Sequence, residues 1–569
     1  MIGSSKLGPE QRAEAWRRLD GGQFDVLVIG GGVTGAGVAL DAATRGLSVA
    51  LVEARDFASG TSSRSSKLFH GGLRYLEQLN FSLVAEALRE RDLMLTRIAP
   101  HLVKPVSFLY PLTHRLWERP YVGAGLILYD TMGGSRAVPR HRHLTRTKAR
   151  ALAPALRRDI LVGAIRYYDA QADDARHTLT VIRTAASYGA VVRNSTEVVG
   201  LLREGGRVVG AEIRDVETGA TAKVRASVTV NCTGVWTDDI QRMSEGRGRF
   251  KVRASKGVHI VVPRDRIASE TGIILRTEKS VLFVIPWGNR WIVGTTDTDW
   301  TLDKAHPAAT RADIDYILER VNRVLTQPLT HDDIIGVYAG LRPLLAGESE
   351  ETSQLSREHA IARPLPGLIS VAGGKYTTYR VMAKDAIDAA VADLARPVPR
   401  CVTDRTPLLG AEGYHALVNR VDELAAQYHL PRWRIQRLLD RYGSLVHEVL
   451  EAAGEDPSLL QPVPGADEYL MAEVRYAVTH EAALHVDDLL TRRTRISIEV
   501  PHRGTESARP VAEAVADVLG WDAARVEEEV RTYEARVAAE RASQEQRDDE
   551  SADAVRRNAP DTRHLRLVG

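Results

Sequence analysis

Cysteine is almost absent: Cys232 and Cys401 are the only two in 569 residues. That excludes a disulfide framework and a conventional all-protein zinc site, so no metal is expected, and it suits a reducing, cytoplasmic compartment. Charge of one sign is also lacking. Lys and Arg total 76 against 74 Asp and Glu, so no global field draws the chain to nucleic acid and any basic site must be local. No run is long and apolar enough to span a bilayer; the nearest, "VLVIGGGVTGAGVALDAA", carries Asp41 and several glycines. The opening "MIGSSKLGPEQRAEAWRRL" has no apolar stretch of the secretory kind. At 569 residues, two or more domains are expected.

What is present is organised. Residues 24–54 read as strand, glycine turn, helix and strand, followed by a Ser-rich loop and an amphipathic helix around Phe81–Ile98. A helix near "DDARHTLTVIRTAASYGA" leads into short strands with a Gly-Gly turn, and "VTVNCTG" and "GLISVAGG" are further buried strands. Residues 250–345 alternate β-rich runs with one helix at Arg311–Leu325. Pro397–Pro399 marks a linker, and the periodicity beyond it is helical to about Ala542. From Ser543 the tail has few large apolar residues and is expected to be disordered.

Gly30-x-Gly32-x-x-Gly35 sits between a buried strand and a helix, and Glu53 ends the next strand. This is the pattern of a dinucleotide site. Glycines permit a tight turn, close approach of backbone amides to a pyrophosphate and tight helix–strand packing, while the acid accepts from a ribose. An α/β turn that binds nothing is the alternative. A nicotinamide enzyme would complete its domain with further βα units nearby. Here such units return only at "VTVNCTG" and "ISVAGG", which favours a long flavin cofactor, FAD.

"VIGGGVTGAGVALDAATRGLSVALVEARDFASGTSSRSSKLFHGGLRYLE" resembles the N-terminus of the FAD-dependent, quinone-linked glycerol-3-phosphate dehydrogenases. The likeness continues through "NCTGVWTD", "KGVHIVVPR", "VLFVIPWGNRWIVGTTDTDW", "YAGLRPLL", "SREHAI" and "GGKYTTYR", roughly Phe24–Arg380. It implies an α/β (α+β) fold: a glutathione-reductase-type FAD-binding domain, an antiparallel-sheet substrate domain and a C-terminal all-helical cap. The boundaries expected on that basis are an extension over 1–22 and interleaved FAD and substrate domains over 23–400. The FAD parts fall at 23–100, 160–250 and 350–395, the substrate parts at 101–159 and 251–349. The helical domain takes 401–542, leaving the tail at 543–569. The resemblance also implies oxidation of sn-glycerol 3-phosphate to dihydroxyacetone phosphate, with electrons passed to membrane quinone.

Such a reaction needs a proton acceptor, donors to steady the reacting oxygen and cations for the phosphate. Carried over by resemblance, Arg74, Tyr75 and Arg357 hold the phosphate. Lys375 lies beside flavin and substrate, and Arg342 lies near the reacting oxygen. His259 is the expected proton acceptor, since a neutral imidazole takes a proton near physiological pH. Read alone, His259 in the alternating "GVHIVVP" is favoured as a hydrogen-bonded strand residue, and Arg342 and Arg357 are ordinary ion-pair candidates. For FAD the expected lining is Gly30, Gly31, Gly32, Thr34, Gly35 and Glu53 at the first turn. Ser62, Ser63, Lys67 and Leu68 follow it, and Val198, Gly234, Gly374 and Thr377 complete the path. His70 has no assigned role.

Residues 112–158 combine Trp, Tyr, Leu and Ile with a dense basic run, which fits docking at the inner face of an anionic membrane or, equally, a solvated basic face. Three other functions stay open: a glycerol-3-phosphate oxidase using oxygen, a D-amino-acid- or glycine-oxidase-like enzyme, and a flavin-binding scaffold. The sequence leaves monomer and homodimer open.

Overall fold

The computed structural model describes residues 4–72, 80–114, 117–133, 137–244, 251–277, 281–346, 358–454, 456–563 and 565. The uninterrupted apolar runs of the first unit form strands buried on both faces, as a parallel sheet between helices requires. Gln23–Ile29 lies between Val49–Val52 and Thr221–Asn231, all parallel, with Val28 opposite both Leu51 and Val230. Val191–Arg193 extends one side in parallel, and Leu368–Gly373 extends the other. Helix Val33–Thr44 packs between helices Asp174–Ser187 and Tyr379–Val391 over this sheet. The three sequence-distant strands at 23, 221 and 368 are thus neighbours, which makes the binding unit discontinuous.

The second sheet has ten strands and is mostly antiparallel. Its centre is the long strand Val252–Pro263, paired on one side with Gly336–Leu345 and on the other with Arg290–Gly294 and Thr298–Trp300. Helix Arg311–Asn322, opened by a Thr310/Asp313 capping box, closes the core behind it. Strands Leu68–Phe69 and Gly163–Gln171 also belong to this sheet, the latter pairing along Lys104–Leu112. The expected boundaries put both in the FAD parts. The pairings responsible are long-range: Gly163–Gln171 meets Lys104–Leu112 across a connection containing helix Glu118–Met132, and Leu68–Phe69 meets Ala170 and Gln171, so local sequence does not reveal them.

From Tyr414 to Ser543 the chain is helical apart from a small hairpin, Pro462–Val463 with Ala466–Leu470. It is tied to the first unit by buried ion pairs. Arg493 donates two hydrogen bonds of 2.7 Å to Asp56, and Arg495 donates bonds of 2.9 and 2.7 Å to Asp173. The tail departs from expectation. Instead of disorder there is a helix, Asp549–Arg557, and Arg563 beyond it is buried. Composition misled because this segment docks through ion pairs and one small buried residue, Ala552, rather than through a large apolar face. Among the described residues no helix is long and apolar enough to cross a membrane.

Candidate functional site

A cavity of about 1400 Å³ is walled by both sheets. On the first-sheet side the glycine turn builds an anion cradle. Gly30 takes φ +108°, and a Cβ on Gly35 would lie 1.9 Å from the Gly30 carbonyl oxygen, so turn and helix approach as only glycine allows. Gly32 caps helix Val33–Thr44 without a side-chain bond, and Gly32, Val33 and Thr34 face the cavity. A helix N-terminus presented this way suits a pyrophosphate. Ser62 Oγ accepts from the Val33 N–H at 2.9 Å and holds the Ser-rich loop against that end.

Glu53 lines the same wall, its two carboxylate oxygens accepting from Gly31 N and Arg55 N at 2.7 Å each. Burial pushes its carboxyl above the ordinary range although those two N–H groups favour the charged form. Val198, Gly234, Gly374, Thr377 and Leu68 also line the cavity. Gly234 and Gly374 have φ of +58° and +80°, so each turns the backbone toward the space. These residues fit FAD: an N-terminal helix end, a buried acid beside it and a long passage leading to the second sheet.

Four expected lining residues behave differently, Gly35 among them, since it packs against the Gly30 carbonyl behind the wall. Lys67 is turned away from the cavity, its ammonium buried and donating to Asp174 Oδ1 at 2.9 Å and to the Ser63 carbonyl at 3.2 Å. Burial, aided by Arg495, holds its pKa below the usual value. Ser63 and Gly31 likewise stand behind the lining, Ser63 contributing that carbonyl and Gly31 its N–H to Glu53. Ser62, Ser65 and Ser66 face the cavity, whereas Lys67 is drawn the other way by the buried Asp174 carboxylate and the Ser63 carbonyl.

On the second-sheet side, His259 and Arg342 come together. Ser255, Gly257 and His259 share one face of their strand, opposite Arg342, Gly340 and Tyr338. Gly257 leaves room for the Arg342 guanidinium: a Cβ there would sit 2.5 Å from Nη2. Arg342 donates to Thr295 Oγ1 at 3.0 Å and lies 3.7 Å from Asp297. His259 is 2% exposed, stacks on Tyr338 at 4.8 Å and has Nε2 2.9 Å from Ser66 Oγ. Its Nδ1 has no protein hydrogen-bond partner among the described residues. Burial, then Arg342 and Lys67, hold the imidazole well below its ordinary pKa and so neutral. Lys375 lines the cavity just after Gly373-Gly374 and before helix Tyr379–Val391.

His70 lines the cavity too, and its N–H donates to Thr377 Oγ1 at 3.2 Å. The following turn is held from behind: Gly71 N–H donates to the Tyr129 hydroxyl at 2.8 Å, which donates to Asp169 at 2.6 Å. Burial pushes the Asp169 carboxyl up to about 6 against the pull of Arg91. Arg74, Tyr75 and Arg357 lie outside the described residues; the flanking Asn80 and Glu358 are joined by a 3.2 Å hydrogen bond. Sequence reasoning missed Ser66, Arg64 and Arg55 as lining residues. A run of serines and arginines gives no sign of which members face inward.

Residues 25–380 match the family described as FAD dependent oxidoreductase, and residues 401–526 match the C-terminal domain of alpha-glycerophosphate oxidase. A glycerol-3-phosphate dehydrogenase of Mycobacterium leprae is 65% identical over 560 residues, 98% of this chain and 96% of that one. The mitochondrial glycerol-3-phosphate dehydrogenase of Homo sapiens is 37% identical over 547 residues, 92% of this chain and 74% of that one. Among solved structures, a glycerol-3-phosphate dehydrogenase from Bacillus halodurans complexed with FAD superposes with a TM-score of 0.75 at 30% identity, covering 94% of this chain and 97% of that one. The chain belongs to the FAD-dependent glycerol-3-phosphate dehydrogenase family.

Proposed function

We propose that the chain oxidises sn-glycerol 3-phosphate to dihydroxyacetone phosphate and delivers the electrons to membrane quinone. The single observation that carries the chemistry is the pairing of a neutral, buried His259 with the Arg342 guanidinium at one cavity wall. Bound FAD supplies the acceptor for the hydride leaving the carbinol carbon. The chain's residues handle the rest. His259 takes the hydroxyl proton, and Ser66 fixes the ring through Nε2. Arg342, fixed by Thr295 and Asp297, offsets negative charge on the reacting oxygen. Arg74, Tyr75 and Arg357 bind the phosphate, Arg as a planar two-pronged donor. Lys375 holds substrate against the cofactor.

The quinone reading is supported by helix Glu118–Met132. Tyr121 and Leu128 are exposed and also line the cavity, while Trp117 and Ile127 are 50% and 57% exposed. Exposed Arg140, Arg142, Arg146 and Lys148 follow, so an apolar face and cations lie close in sequence, as peripheral docking on an anionic inner membrane surface needs. The match of residues 401–526 to an alpha-glycerophosphate oxidase domain supports a second acceptor, oxygen. Anaerobic addition of sn-glycerol 3-phosphate is expected to bleach the flavin absorbance, and a quinone analogue to restore it faster than air. No bleaching overturns the substrate; faster recovery in air overturns the quinone.

A further inference from the structure

The tail helix and the residues after it do more than fill surface. Ala552 is fully buried with Val235, Ala254, Trp300 and Leu341, and Asp549 pairs with the buried Lys256. Asp553 accepts from the Asp303 N–H at 3.2 Å. This anchors the helix on the second sheet. The chain then crosses toward the first unit, Asp561 bridging Arg55 of that unit at 2.8 Å and His306, in the loop after Thr298–Trp300 of the second sheet, at 2.9 Å. Arg563 donates two 2.8 Å bonds to Asp488 and one of 2.7 Å to Ser195 Oγ. Along this crossing, Ala559, Asp561 and Arg563 line the same cavity as Glu53, Arg55 and Val198.

We propose that residues 549–563 form a clasp over the adenosine end of the FAD cavity, with Asp561 as the positioning residue that holds it shut across Arg55 and His306. Both feet of the clasp are fixed, one on each side of the cavity, and the span between them walls the Glu53 end. Arg536 reinforces it by donating to the carbonyls of Arg556 and Ala559 at 2.9 and 3.3 Å, and its Nη2 keeps no hydrogen-bond partner among the described residues. That leaves a buried donor at the cavity wall beside the clasp. FAD therefore exchanges only when the clasp lifts, and the clasp acts on retention of the cofactor.

The proposal rests on reading the Glu53 end as the adenosine end. It is tested on the FAD-loaded full chain by following release of flavin fluorescence after dilution into apoflavoprotein acceptor. Asp561→Ala is expected to speed release at least about tenfold and to shrink the Tm difference between FAD-loaded and FAD-free protein, which a merely structural role would leave unchanged. Release within twofold of the parent overturns the clasp. Should the variant not fold, deuterium exchange on the parent decides: amides of 549–563 are expected to exchange faster without FAD, and equal exchange overturns the proposal. Glu53→Gln weakening FAD without any change on Asp561→Ala would keep the adenosine reading and reject the clasp alone.

Discussion

Ser66 and His259, 193 positions apart, meet at 2.9 Å between Oγ and Nε2, joining the cofactor-side loop to the central strand of the second sheet. That bond fixes the imidazole while burial and Arg342 keep it neutral. His259→Ala is expected to slow flavin reduction at saturating substrate about 10²- to 10⁴-fold, measured by stopped flow. Arg342→Met removes a cation that disfavours imidazolium, so the acid limb of kcat/KM should move to higher pH. An unmoved limb would assign the proton to another group.

Gly257→Ala tests the room left for Arg342. The added Cβ would stand 2.5 Å from Nη2 and 2.7 Å from Thr295 Oγ1, so the guanidinium must leave its place. Bound FAD per chain should stay near the parent value while kcat falls about tenfold or more. Loss of FAD instead would mean the strand itself had shifted.

Tyr129→Phe deletes the hydroxyl that both accepts from Gly71 and donates to Asp169. A buried N–H left without its acceptor costs about 1–3 kcal/mol. Because the turn precedes Arg74, the expected signature is a raised KM for sn-glycerol 3-phosphate. Steady-state kinetics showing kcat alone affected would detach this turn from phosphate binding.

His485 gives a stability prediction. Burial and Arg563 push its imidazole down, but the carboxylates of Glu217 and Glu529, at 3.1 and 2.8 Å, outweigh them and hold it up at about 9. The folded form keeps its proton where the unfolded form, titrating near 6.5, has lost it. The contribution is therefore full below about pH 6.5 and declines as pH rises through 9, by up to about 3 kcal/mol. Denaturant melts at pH 6.5 and 9.5 should show that decline in the parent and a flatter dependence in His485→Gln.

Much of this was legible in the sequence because local patterns carry local rules. The spacing of Gly30, Gly32 and Gly35 with Glu53 dictated a strand–turn–helix cradle, and that is what stands there. Lys67 was not legible. Its direction depends on Asp174, 107 positions away, and no neighbour in sequence reveals whether a lysine meets a cofactor or a carboxylate. The tail failed for a related reason. Composition measures apolar area, whereas residues 549–563 are held by Lys256, Arg55 and Asp488, partners supplied by three distant parts of the chain.

The bidentate contact of Arg493 with Asp56 bears on how the protein comes apart. Removing one member of a buried charge pair strands the other in a dry interior, which is costlier than never having had the pair. Substituting Asp56 or Asp173 within the intact chain would leave Arg493 or Arg495 buried without its carboxylate, whereas a cut near residue 400 would open the same groups to water as two faces of opposite charge. The helical region is thus no detachable module. The two portions are therefore expected to melt in a single transition.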